Sequence, residues 1–102
     1  MVEYNKLIRD RIPEIIKESG KACEVETLSE TDYRKHLNQK LGEELEEYLS
    51  SLEVEELADL EEVLRAILDL EGISYEEFDR IRKDKAEKRG AFKKRLLLKK
   101  VD

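Results

Sequence analysis

The sequence predicts a mainly α fold, a helical bundle built on an antiparallel helix hairpin, with a small β element from residues near 22–28 and 92–98. Three observations carry this. Apolar residues recur at helical spacing along two neighbouring stretches in the middle of the chain. Capping signals divide those stretches and open a third. No internal repeat, Pro/Gly-rich linker or low-complexity tract interrupts the pattern, so residues 1–102 read as a single domain.

In order, "RDRIPEIIKESG" predicts a short first helix with Asp10 as N-cap and Gly20 as its end. "ACEVETL", residues 22–28, alternates weakly and reads as a strand, with Cys23 as a packed small hydrophobe. "SETD", residues 29–32, resembles a capping box and opens a helix from about Thr31 to Leu49. "SSLE", residues 50–53, reads as another box, with Ser50 capping a helix from about Leu52 to Glu71 that stops at Gly72. "SYEE", residues 74–77, starts a third long helix that reaches Gly90. "FKKRLLLKKV" reads as a closing strand, paired with residues 22–28 because neither is stable alone. The short link between the two central helices makes them antiparallel neighbours.

Composition narrows the function. Charged residues make up 45% and apolar residues 39%, which permits a core but a thin one. Association with a second copy is the natural remedy, so a homodimer or higher homo-oligomer is expected. The single cysteine excludes an intrachain disulfide framework. No apolar run approaches a membrane span and no signal peptide opens the chain, so a cytoplasmic protein without a membrane partner is expected. Charge is unevenly spread: residues 40–79 hold 15 acidic and 2 basic residues, residues 80–102 hold 11 basic and 3 acidic. The net charge of −6 and the lack of a recognisable module argue against nucleic-acid binding by the basic end.

The acidic block has an order of its own. On an ideal helix with Leu41 at the centre of the apolar stripe, Glu44 falls about 60° from it and Glu47 about 120°, on the same side. With Leu60 at the centre of the next stripe, Glu56 lies about 40° away, inside the stripe, and Asp59 about 100° away. Each helix thus offers a carboxylate pair at i, i+3, and antiparallel packing brings four carboxylates to one seam. Buried together they repel, and a strong cation makes the arrangement tolerable. Oxygen ligands without histidine or cysteine point to Mg²⁺, with Mn²⁺ as a second choice. Such an ion keeps positions open for water and substrate phosphates, which points to phosphate chemistry. The bland alternative is a solvated acidic face, since matched i, i+3 pairs are common in acidic helices; Glu43, Glu46, Glu55 and Glu61 read that way by spacing.

"EELEE" followed by "ELAD" resembles the E-E-x-x-E … E-x-x-D pattern of the MazG-like nucleotide pyrophosphohydrolases, the all-α NTP pyrophosphatase superfamily. "YNKLIRDRIPEII", residues 4–16, is similar to the opening of the short phosphoribosyl-ATP pyrophosphohydrolase-like branch, and "EKRGAFKKRLLL", residues 87–98, to its close. The three matches come in order and span nearly the whole chain. The resemblance implies Mg²⁺-dependent hydrolysis of a nucleoside triphosphate, or a related nucleotide, to the monophosphate and pyrophosphate. It implies Glu44, Glu47, Glu56 and Asp59 as metal ligands. Glu43 would orient or deprotonate the attacking water, or ligate a second metal. It also implies a homo-oligomer whose bundle is completed by a second chain. The link between Glu47 and Glu56 is shorter than in many MazG proteins, and Glu46 is a surplus acid.

Lys6 and Arg9 in the opening motif and Arg89 near the close are candidates for phosphate oxygens; surface ion pairing is the alternative. Lys40 reads as a neutralising or solvated charge, and His36 as a surface residue. Tyr4, Tyr48 and Phe92 read as core or oligomer packing ahead of base stacking. The competing functional reading is a non-catalytic helical module of the same fold that binds nucleotide or a protein partner.

Overall fold

A computed structural model of the chain describes residues 4–102; residues 1–3 of the predicted domain lie outside this range. The described residues form α1 (Ile12–Glu18), α2 (Glu30–Ser51), α3 (Val54–Glu71) and α4 (Tyr75–Arg89). The chain is mainly helical, as its periodicity predicts.

Local chemistry explains most helix ends. The Ser29 hydroxyl accepts the Asp32 N–H at 3.2 Å and opens α2. The Ser74 hydroxyl accepts the Glu77 N–H at 3.1 Å and opens α4. Two expected caps are displaced. Asp10 does not cap α1: Arg11 holds that position, behind a turn in which the Ile12 N–H donates to the Arg9 carbonyl. Pro13 then sits in the first turn, where its missing N–H is not needed. Ser50 does not cap α3, because α2 runs on through Ser51. Leu52 ends α2 in the left-handed region, at φ 59°, with its N–H bonded to the Tyr48 carbonyl, and Glu53 becomes the N-cap of α3. At the far end of α3, Gly72 takes φ 73° and its N–H donates to Asp69, while the Ile73 N–H reaches back to Leu68. This paired closure needs a residue free of a Cβ penalty.

α2 and α3 form the antiparallel hairpin. Arg34 near the start of α2 pairs with Glu71 at the end of α3, while Glu44 meets Glu56 and Asp59 toward the other end. Leu37, Val63 and Leu68 are buried between them. α4 is joined to α3 through its first residue: the Tyr75 hydroxyl donates to Glu61 Oε1 at 3.2 Å. The Arg65 guanidinium lies 3.8 Å above the Tyr75 ring. No residue of α4 is buried.

The expected β element is absent: no residue between 22 and 28 or between 92 and 98 is in a strand. Two strands without a third, and without a helix to lie on, are marginal in water. The three consecutive leucines 96–98 also lack the alternation that gives a strand one apolar face. Cys23 is accordingly exposed and not packed. Gly90, at φ 84°, ends α4, and a turn follows in which the Arg95 N–H donates to the Phe92 carbonyl at 3.2 Å.

The radius of gyration is 18.2 Å, against about 13 Å for a compact chain of this length. The accessible surface is 9774 Å², against about 6,000 Å² for a compact monomer of this mass. Among the described residues no helix is long and apolar enough to cross a membrane.

Candidate metal centre

The hairpin seam gathers carboxylates. One oxygen from each of Glu44, Glu56 and Asp59 lies within 4.8 Å of the other two. These three come from the two i, i+3 pairs that the sequence singles out. Glu47, the fourth, is exposed, yet it stands close enough to Glu44 and Glu56 to push both carboxyls upward. The seam therefore brings all four predicted ligands to one place, three of them in mutual reach and Glu47 at the outer edge.

Burial is not shared as the stripe geometry predicts. Glu44 is the buried acid, 7% exposed, whereas Glu56 is only half-buried. Glu56 lies in the first turn of α3, beside the link to α2 at the closed end of the hairpin, and stays half-buried there. Glu44 lies more than a turn inside α2 and faces α3. Its carboxyl is raised above the ordinary glutamate range by burial first and by Glu47 next, with Asp59 adding to the rise and Lys40 opposing it. Glu56 is raised by partial burial and then by Glu47 and Asp59. Buried oxygens are nearly always bonded, yet Glu44 Oε2 has no hydrogen-bond partner.

Three cations flank the cluster. Arg9 Nη2 donates to Asp59 Oδ1 at 2.6 Å. Lys40 Nζ lies 3.5 Å from Glu44 Oε1, and Lys6 Nζ lies 3.7 Å from Glu43 Oε1. Lys6 and Arg9, expected at phosphates, are thus held against carboxylates at the edge of the site. Arg89 sits in the last turn of α4 and has no ion pair with these acids among the described residues. Glu43 stands at the rim, within reach of two hollows.

The first hollow, about 150 Å³, is lined by Tyr4, Asn5, Lys6, His36, Lys40 and Glu43, among others. The second, about 410 Å³, is lined by Lys6, Glu43, Glu46, Glu47, Ser50 and Glu56. His36, expected at the surface, and Gln39, which carries no motif, both line the first hollow. His36 Nδ1 donates to the Asp32 carbonyl at 2.8 Å. The signal was present: residues 36, 39, 40 and 43 follow one helix face at i, i+3, i+4, i+7.

The donor set suits a hard divalent cation. It consists of oxygens alone, it converges, and one of its buried oxygens lacks a partner.

No protein-family profile and no solved structure matches the chain. A segment of 42 residues is 48% identical to an uncharacterized protein from Mycolicibacterium smegmatis. The match covers 41% of this chain and 43% of that protein.

Proposed function

We propose that this protein is a Mg²⁺-dependent nucleotide pyrophosphohydrolase of the MazG-like, phosphoribosyl-ATP pyrophosphohydrolase-like kind. One observation carries the proposal: Glu44, Glu56 and Asp59 converge within 4.8 Å, with a buried Glu44 oxygen left without a partner. The order of the three sequence motifs supports the same reading.

In this reading Glu44, Glu56 and Asp59 hold the ion, and Glu47 completes the set from the outer edge. When bound, Mg²⁺ supplies positive charge to the phosphate oxygens of the nucleotide. Arg9, Lys6 and Lys40 orient the phosphate chain; each is already poised beside a site carboxylate. Glu43 accepts a proton from the water that attacks phosphorus. The new P–O bond forms as the bond to the leaving pyrophosphate breaks, and the products are a nucleoside monophosphate and pyrophosphate. The surface left over, about 3,800 Å² beyond a compact monomer, supports a homodimer or larger homo-oligomer.

A panel of ribo- and deoxyribonucleoside triphosphates and phosphoribosyl-ATP, with Mg²⁺ or Mn²⁺, tests the proposal. Pyrophosphate release from at least one compound is the expected result. Orthophosphate release alone, or no release from any compound, rejects it.

A further inference from the structure

The tail after Gly90 leaves its apolar side chains in water. Phe92 is 97% exposed and Leu97 82%, and Leu96, Leu98 and Val101 are exposed in the same way. Between them stand five cations: Lys93, Lys94, Arg95, Lys99 and Lys100. A run this apolar does not stay solvated in a soluble chain without a binding role.

The hairpin carries a matching deficit. Leu45, Leu49, Leu52, Val54 and Leu57 are exposed at the closed end of α2 and α3. On ideal helices Leu45 and Leu49 lie about 40° and 80° from the Leu41 stripe centre, on the side away from Glu44. Leu57 and Val54 lie about 60° and 120° from Leu60, on the side away from Glu56. In an antiparallel pair these flanks form one apolar face, opposite the carboxylates. Leu52 is held at φ 59°, a conformation that favours glycine, and still presents an exposed isobutyl group there. Residues 45–57, which bear this face, lie within the acidic block of residues 40–79, so the basic, apolar tail complements it in both charge and hydropathy.

We infer that the tail, residues 91–102, is an arm that docks on the apolar face of the hairpin of a second copy of this chain. Its own hairpin does not cover the tail, whose apolar side chains are bare. A stable dimer needs about 800 Å² from each partner, well within the surplus surface. Exchange of two arms gives a closed, symmetric pair. The inference rests on the self-association proposed above and is independent of catalysis.

The test uses the full chain. A spin label on Lys99→Cys, in a Cys23→Ser background, is mixed with unlabelled ¹⁵N protein. Broadening of the amides of residues 45–57 in the ¹⁵N chains is the expected result. The triple variant Leu96→Ser, Leu97→Ser, Leu98→Ser should raise the dimer dissociation constant at least 100-fold by sedimentation while helical circular dichroism is kept. Leu52→Gly, which relieves the backbone at that turn, should weaken the dimer without lowering helix content. No broadening of residues 45–57 in that mixture overturns the inference, as does a dimer unchanged by the triple variant. Tail-dependent binding to phosphatidylserine vesicles by a monomeric protein also overturns it, in favour of a lipid surface. Pyrophosphate release from a dimer that ignores the triple variant sinks the arm alone. An arm-dependent dimer that hydrolyses no nucleotide sinks the hydrolase alone.

Discussion

Arg9 and Asp59 stand fifty positions apart in the chain, and the Arg9 guanidinium donates to Asp59 Oδ1 at 2.6 Å. The bond ties the N-terminal segment to α3 at the edge of the carboxylate cluster. Both side chains remain well exposed, at 58% and 42%, so the pair stabilises the fold by less than about 1 kcal/mol. Arg9→Gln is therefore expected to lower the melting temperature by a few degrees at most. A phosphate role makes a different demand: KM for the nucleotide should rise about tenfold or more, since a charge-assisted contact is worth roughly 1.5–3 kcal/mol. Thermal melts and steady-state kinetics on the same preparation separate the two. An unchanged KM would make Arg9 a strap for the segment and nothing more.

The cluster also sets a pH dependence. Glu44 is raised by burial and Glu47, and Glu56 by partial burial and Glu47. A carboxyl raised on folding keeps its proton to higher pH in the folded state than in the unfolded one. Its contribution to stability is complete below the unfolded value of 4.5 and is lost as pH rises through the folded value. Asp79, lowered chiefly by Arg82 and also by Lys83, acts in the opposite sense, and its contribution is lost only as pH falls through its own lowered value. The metal-free protein should thus melt higher near about pH 5 than near about pH 7.5. Mg²⁺ at the higher pH should restore the difference by taking the place of the proton. Melting curves across that range, with chelator and with Mg²⁺, measure both effects. Identical melts at both pH values with no response to Mg²⁺ would remove the cluster from any role in binding cations.

Tyr75 makes a structural prediction that is separate from the site. Its ring lies under Arg65 and its hydroxyl reaches Glu61. Replacing Tyr75 by Leu removes both contacts while keeping apolar bulk. The expected loss is about 1 kcal/mol, measured by urea titration, with turnover unchanged. A loss of turnover at full stability would mean that α4 serves the site directly.

The hairpin and the meeting of carboxylates at its seam are legible in the sequence because both follow from spacing. A 3.6-residue period fixes which side chains share a face, and antiparallel packing then fixes which faces meet. What escaped depends on neighbours that the period does not name. Ser50 carried a capping signal, but Leu52 closed the preceding helix first and left Ser50 inside it. Residues 92–98 had the composition of a strand, yet nothing in the fold offered them an edge to pair with. The placing of Glu56 inside the apolar stripe rests on its angle on one helix. Depth along the hairpin, which favours Glu44, was not in that angle.

On the proposed function, Glu44 is consequently the acid whose loss should matter most. Changing Glu44 to Gln keeps the volume and removes the charge. The new amide N–H₂ can donate to Glu47, whose carboxylate now crowds Glu44. Removing the one buried acid of a repelling cluster is expected to leave the metal-free protein as stable as before or more so, by a few degrees in melting temperature. Turnover should meanwhile fall at least 100-fold, with poor rescue by excess Mg²⁺, because the ion loses the ligand that the fold holds most rigidly. Glu56→Gln should behave alike but more mildly, as its half-buried oxygens are free to be replaced by water. Glu62→Gln, on the exposed side of α3, should change neither property. Lost turnover joined to equal or greater apo stability marks an acid kept for function and not for folding. If Glu44→Gln instead unfolds the metal-free protein, its carboxylate is a structural partner in the seam, and the metal centre must be sought elsewhere.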